Sequence, residues 1–298
     1  MRIKTSLISG IFSVFRIKRL IFFMWSVNLI FGLIITLPVF TVLNASLAPG
    51  SAGDSMLQGF DYQWFVQFSS GSAESLYFVP VLIAIVGLVY MVLQTFFAGG
   101  VISALDNESK TISMSFFFEQ CSAYFGRFML LWIIALLSSV AIYFICTLFF
   151  SFVVDEFIRN ASTERSAILL SYMKYSIYFA LFAAMHLAVD YAKIKILIGR
   201  SRTVFADFIS SIGFVASNIW SAASLFLAVT FIGIGIWAVY LLSESGVNPN
   251  SPILIGVVFI VQQLYMVTRL WLRLLFYSTE YHFFAFSLSK ATPAFENE

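Results

Sequence analysis

Six stretches of this chain are dominated by apolar residues: Leu20–Leu43, Leu76–Gly99, Phe128–Val153, Tyr172–Ile194, Ala216–Leu242 and Pro252–Phe276. Each is long enough, as a helix, to cross a hydrocarbon layer of about 30 Å. A transmembrane β-barrel would show shorter segments of alternating polarity instead. The polar segments between the blocks are too short to fold alone. The pattern predicts an all-α polytopic transmembrane bundle of about six spans, forming one membrane domain over 1–298 with no soluble domain. Pro38 and Pro80 fall inside spans, Gly99-Gly100 closes the second, and Pro249 with Pro252 marks a tight turn before the last.

Composition agrees with the pattern. Sixty per cent of residues are hydrophobic and 11% are charged, against roughly 25% charged in soluble domains. There is too little polar material to cover a soluble core. The net charge of +2 is too small to point to nucleic acid.

The placement of the basic residues gives an orientation. With the N-terminus in the cytoplasm, the inner side holds Arg2, Lys4, Arg16, Lys18, Arg19, Lys110, Arg127, Lys193, Lys195, Arg200, Arg202, Arg269, Arg273 and Lys290. The outer side holds Arg159, Arg165 and Lys174, a ratio of fourteen to three that puts both termini inside. The first apolar block exceeds a signal-peptide core of roughly 7–15 residues, and Pro49 would follow a cut after Ala48, so an uncleaved span is expected.

A weak threefold internal repeat can be read in the chain, with chance similarity between Phe- and Ser-rich segments as the alternative. Lys4-Thr5, Lys110-Thr111 and Arg202-Thr203 each precede a moderately polar segment and then an outward span. Ser109-Lys110-Thr111-Ile112 matches Ser201-Arg202-Thr203-Val204, with Phe116 and Phe208 at equivalent later positions. The reading is three helical hairpins in parallel, each introduced by a helix in the inner interface with Thr near its N-cap. In the first outer loop, Leu57, Phe60, Trp64 and Phe68 fall at helical spacing, the pattern of an amphipathic helix or an aromatic belt.

Chemistry-bearing residues are few. On one helix, His186 and Asp190 are four residues apart and Asp190 and Lys193 three apart, so they share a face. Ionisable groups in a span are functional candidates by default. At the inner end, however, a structural ion-pair cluster is the first expectation, and a gating, proton or ligand role the alternative. The last span carries Gln262, Arg269, Arg273 and Glu280 at seven, four and seven residue intervals. That stripe either recognises a phosphate or carboxylate headgroup or neutralises Asp190 or Asp207. Pairing of Asp190 with Arg269 or Arg273 is the specific expectation. Asn28 and Gln94 are candidates for interhelical hydrogen bonds, and Lys174 for snorkelling outward. Gly233, Gly235, Ala183 and Ala184 read as close helix contacts.

Cys121 and Cys146 form no CxxC or metal-ligand pattern and read as free thiols. With only His186 and His282 as histidines, a dedicated zinc or haem site is not expected, nor is another cofactor. Walker-type loops, HExxH, GxSxG and paired deep carboxylates are absent from the sequence, so the chain is expected not to be an enzyme.

Asp190-Tyr191-Ala192-Lys193-Ile194, Gly99-Gly100, and Gln263-Leu-Tyr265 with Arg269-Leu-Trp271-Leu-Arg273 resemble a broad group of uncharacterised prokaryotic six-span membrane proteins. In those proteins a similar Asp-Tyr-Ala-basic motif closes the fourth helix and the sixth is rich in Arg. The resemblance covers most of the chain and rests on short motifs. It implies a bacterial inner membrane and brings no activity with it.

Two functions follow. The first is a non-catalytic accessory or scaffold subunit of a membrane complex, whose partners are lipids and other membrane subunits or further copies of itself. The second is a transporter or flippase for a lipid-like or amphipathic substrate. A polar cavity lined by Asn28, Gln94, Gln262 and Gln263 would favour the second; a closed, apolar bundle with an exposed aromatic flank would favour the first.

Overall fold

The computed structural model describes residues 2–47, 62–71, 77–107, 112–160, 163–199, 203–245 and 251–291. Those residues form nine helices: α1 (Arg2–Arg16), α2 (Lys18–Leu47), α3 (Tyr62–Gly71), α4 (Phe78–Asp106), α5 (Met114–Arg159), α6 (Glu164–Gly199), α7 (Val204–Ser217), α8 (Ile219–Ser245) and α9 (Pro252–Ala291). Six of them, α2, α4, α5, α6, α8 and α9, are long and apolar enough to cross a membrane. No strand occurs among the described residues. The chain is an all-α, multi-pass integral membrane protein.

The helices run past the limits set by hydropathy. α5 has 46 residues, about 69 Å at 1.5 Å per residue, more than twice a ~30 Å hydrocarbon layer. Hydropathy marks where chain is apolar, whereas backbone hydrogen bonding continues into polar sequence until a cap stops it. Gly99 and Gly100 likewise do not end the helix: α4 continues through both to Asp106. Pro38 lies inside α2. Pro80 is the third residue of α4, in a first turn whose N–H groups have no helical partner anyway.

The chain divides into two compact units. The first comprises Met1–Ser13, Thr95–Phe226 and Tyr277–Glu298, and the second Val14–Gln94 with Leu227–Phe276.

In the first unit α5 and α6 form an antiparallel hairpin. Lys174 Nζ bonds Asp155 Oδ1 at 2.8 Å across it, and the Thr147 and Tyr178 hydroxyls meet at 2.9 Å. Lys174 is therefore ion-paired. The end of α4 packs on α5 through its glycines. A Cβ on Gly100 would lie 2.5 Å from Cys121 Sγ and 2.6 Å from the Phe117 ring, so only hydrogen fits there. Phe97, Val101, Ile102 and Leu105 are buried, as are Phe117 and Cys121, and the Phe97 and Phe117 rings lie 5.9 Å apart. α1 lies against the end of α9 through small residues: Ser278 Oγ donates to the Gly10 carbonyl at 3.1 Å, and Ser13 Oγ meets His282 Nε2 at 2.9 Å. α7 packs on α6, where Ser211 Oγ donates to the Ala188 carbonyl at 2.8 Å.

The three introducing segments of the repeat are alike in section. α1 buries Ser6 and Gly10 and turns Ile8 and Phe12 outward. The start of α5 buries Phe117 and Cys121 and exposes Met114 and Phe118. α7 buries Val204, Asp207, Phe208, Ser211 and Val215 and exposes Phe205, Ile209 and Ile212. An outward apolar row opposite a packed stripe suits a helix lying in a membrane interface. α1 and α7 are separate helices, while the middle segment is continuous with its span. Ser113 caps α5, its Oγ accepting from the Phe116 N–H. Thr203 occupies the N-cap of α7, but its side chain does not cap the helix. Lys110, Thr111, Arg200, Arg202, Pro249, Leu57 and Phe60 lie outside the described residues; of the outer-loop helix, Trp64 and Phe68 stack at 4.9 Å on α3.

In the second unit α8 and α9 are antiparallel, with Tyr240 stacked on Tyr265 at 4.3 Å and Gly233 facing Leu272. Gly235 faces open space rather than a neighbouring helix. α2 meets α9 through Trp25 Nε1, which donates to Gln263 Oε1 at 3.0 Å. α2 meets α4 through Tyr90, whose hydroxyl donates to Asn28 Oδ1 at 2.8 Å.

Candidate functional site

The Asp-Tyr-Ala-Lys segment is the charged centre of the first unit. Asp190, Tyr191 and Ala192 are buried near the end of α6. Asp190 Oδ1 accepts from Lys193 Nζ at 2.7 Å, and Asp190 Oδ2 lies 3.3 Å from Nε2 of the exposed His186. Lys193 also reaches the Tyr277 hydroxyl at 3.4 Å and lies over that ring at 5.3 Å. Glu280, one turn further along α9, is buried within electrostatic reach of Asp190 and Lys193. Tyr191 is fully buried in an aromatic cluster with Phe214, Phe283 and Phe284. The segment thus staples α6 to α9 and α7, with its charges directed at one another.

The sequence-derived set is therefore divided. His186, Asp190, Lys193 and Glu280 gather in the first unit, where Asp190 pairs with His186 and Lys193 of its own helix. Arg269 and Arg273 belong to the second unit. Spacing along α9 put Glu280 on the arginine stripe, but its near charges are those on α6. Asp207 on α7 stands 3.9 Å from Lys195 Nζ. Cys121 and Cys146 are free thiols.

Arg269 and Arg273 border a cleft of 430 Å³ between α2, α4 and α9. Its polar walls are Asn28, Tyr90, Arg269 and Arg273; its apolar walls include Phe31, Ile35, Val86, Met266 and Leu270. Arg273 Nη1 donates to Gln94 Oε1 at 2.7 Å, which fixes one edge of that guanidinium. The Arg269 guanidinium lies 5.9 Å from the Tyr265 ring centre, a cation–π arrangement. Gly32 and Gly87 line the cleft too, and a Cβ on either would meet nothing within 4 Å. The two missing side chains leave room in its wall. Gly32 and Arg269 on its border are exposed, so the cleft opens sideways.

Depth along the helices gives the cleft a polarity. At 1.5 Å per residue, Arg269 and Arg273 lie about 24 and 30 Å from Ile253, and Asn28 lies about 15 Å from Lys18. In a ~30 Å hydrocarbon layer this puts Arg273 at one edge, Arg269 a turn inside it and Asn28 near the middle. The cleft is cationic at the membrane edge and apolar deeper in, which is the shape of an amphiphile.

Gln94 was marked by sequence as an interhelical bond and makes one. Gln262 and Gln263 line other contacts: Gln263 binds Trp25, and Gln262 borders a small space with Tyr240 and Glu244. Tyr90 and the two glycines were missed. A Gly in an apolar block carries no sequence sign of whether it touches a helix or faces a void.

Comparison with protein-family models, with curated proteins and with solved structures finds no match to this chain.

Proposed function

We propose that the protein is a non-catalytic membrane protein that binds a lipid-like amphiphile in the α2/α4/α9 cleft, as a transporter or flippase for such a substrate would. The observation that carries this reading is the cleft itself, with Arg269 and Arg273 at its polar end, Asn28 and Tyr90 further in, and Gly32 and Gly87 leaving space. The distribution of basic residues supports cytoplasmic termini, with the arginine end at the inner leaflet, and the resemblance supports a bacterial inner membrane. The paired charges on α6 support a structural rather than catalytic use of the Asp-Tyr-Ala-Lys segment.

The accessory-subunit reading has its own support. The outer part of the α5/α6 hairpin exposes a row of large side chains, among them Phe144, Leu148, Phe152, Tyr172, Tyr175 and Phe179. Lipid or a second membrane protein would cover such a flank.

The test uses Gly87→Leu. Leucine favours a helix over glycine by about 0.8–1 kcal/mol, and its Cβ has room, so the variant is expected to fold at least as well as the wild type. It fills the cleft, so it should lose the lipid that leaves the membrane with the wild-type protein, read by mass spectrometry of gently extracted samples. Equal co-purified lipid in both proteins refutes the cleft as the site. A protein partner retained in constant ratio by both would favour the accessory subunit.

A further inference from the structure

We infer that the cleft selects an anionic amphiphile, one with a phosphate or carboxylate head at the inner-leaflet surface and a chain running toward Gly32 and Gly87. This rests on the reading of the cleft as an amphiphile site and adds the charge of the head. Four observations carry it.

The polar lining presents donors. Asn28 Oδ1 is taken by the Tyr90 hydroxyl, which leaves the Asn28 amide N–H groups, without a partner among the described residues, on the wall of a cleft that also carries two guanidinium groups. No carboxylate lines the cleft among the described residues. An acceptor-rich head matches that wall; an ammonium does not.

Arg269 makes no hydrogen bond and no ion pair among the described residues; its contact is the face of Tyr265. A guanidinium inside a span is costly unless it reaches a compensating group, and it offers a planar fork of donors suited to phosphate or carboxylate.

Arg269 and Arg273 are like charges one turn apart, an arrangement that destabilises a helix by itself. An anion between them turns repulsion into attraction. Gln94 holds Arg273, which lines the same cleft, at 2.7 Å.

Among the described residues of the second unit, cationic side chains outnumber anionic ones. Arg16, Lys18, Arg19, Arg269 and Arg273 belong to it, and Glu244 is its one acidic residue among those described. Glu244 is engaged by the Tyr240 hydroxyl on α8. A cationic membrane edge of this kind attracts anionic lipid heads.

The experiment places purified protein in nanodiscs of phosphatidylcholine doped with phosphatidylglycerol, and counts lipids retained per protein by native mass spectrometry. Wild type, Arg269→Gln, Arg269→Lys and Gly87→Leu are compared, each after its melting temperature shows that it folds. The wild type is expected to retain phosphatidylglycerol over phosphatidylcholine. Arg269→Gln should cut that preference by about ten-fold, since a charge-assisted pair is lost. Arg269→Lys should keep part of it, and Gly87→Leu should retain neither lipid.

If the wild type holds both lipids equally and Gly87→Leu loses both, the cleft binds amphiphiles but the anionic inference is wrong. If phosphatidylglycerol retention survives Arg269→Gln unchanged, the inference also fails. Inorganic phosphate separates the two sources of the anion. Displacement of phosphatidylglycerol by millimolar phosphate would mean a free anion is the ligand and would overturn the amphiphile; no displacement is the expected result.

Discussion

Asp190→Ala is expected to cost about 3–5 kcal/mol of stability, the range for breaking a buried ion pair from one side. The mutation leaves the ammonium of Lys193 in a largely covered position with its 2.7 Å partner gone. Tyr277, at 3.4 Å and through its ring face, solvates that charge only weakly. The measurement is the yield of monodisperse protein together with its melting temperature. Asp190→Ala should lower both, and Asp190→Ala with Lys193→Met should recover much of the loss, because an apolar pair leaves no orphaned charge. A single variant that melts like the wild type would show the pair to be dispensable. The same comparison bears on function: if the variant folds normally yet lipid retention collapses, the segment takes part in binding and its structural assignment is wrong.

The second large effect falls on Gly100. Valine there is expected to prevent stable packing of α4 on α5, and alanine to cost about 1–3 kcal/mol. The reason is geometric: even the first added carbon lies 2.5 Å from Cys121 Sγ and 2.6 Å from the Phe117 ring. Neither neighbour sits at the far end of a flexible side chain, and both residues are fully buried. Gly126→Ala on α5 is the control, since its Cβ meets nothing within 4 Å and the change should be neutral or stabilising. Melting temperatures of the three variants decide the matter. Similar values for Gly100→Ala and Gly126→Ala would mean that the two helices do not approach closely.

The spans were legible because crossing a membrane needs only length and apolarity, and both are local properties. Helix limits were less so. The polar inner ends of α5 and α6 are held by neighbours distant in sequence, and hydropathy does not see them. The Asp190–Lys193 contact was readable from three-residue spacing on one face. Its companion Glu280 was grouped both with it and with the arginines of α9, because periodicity along α9 says which residues share a face but not which helix that face meets. Asn28 and Gln94 were recognisable as polar atoms that needed partners. Their particular partners, Tyr90 and Arg273, lie 62 and 179 residues away. The cleft was least visible of all, because it consists of side chains that Gly32 and Gly87 do not have.

The most direct test of the account is a cryo-electron microscopy map of the wild-type protein in nanodiscs of native lipid, with a bound antibody fragment as fiducial. The account predicts elongated density between α2, α4 and α9, with its head within hydrogen-bond distance of Arg269 and its tail passing Gly32 and Gly87. A cleft closed by the protein's own side chains, with Arg269 turned onto a carboxylate of the chain, would contradict it.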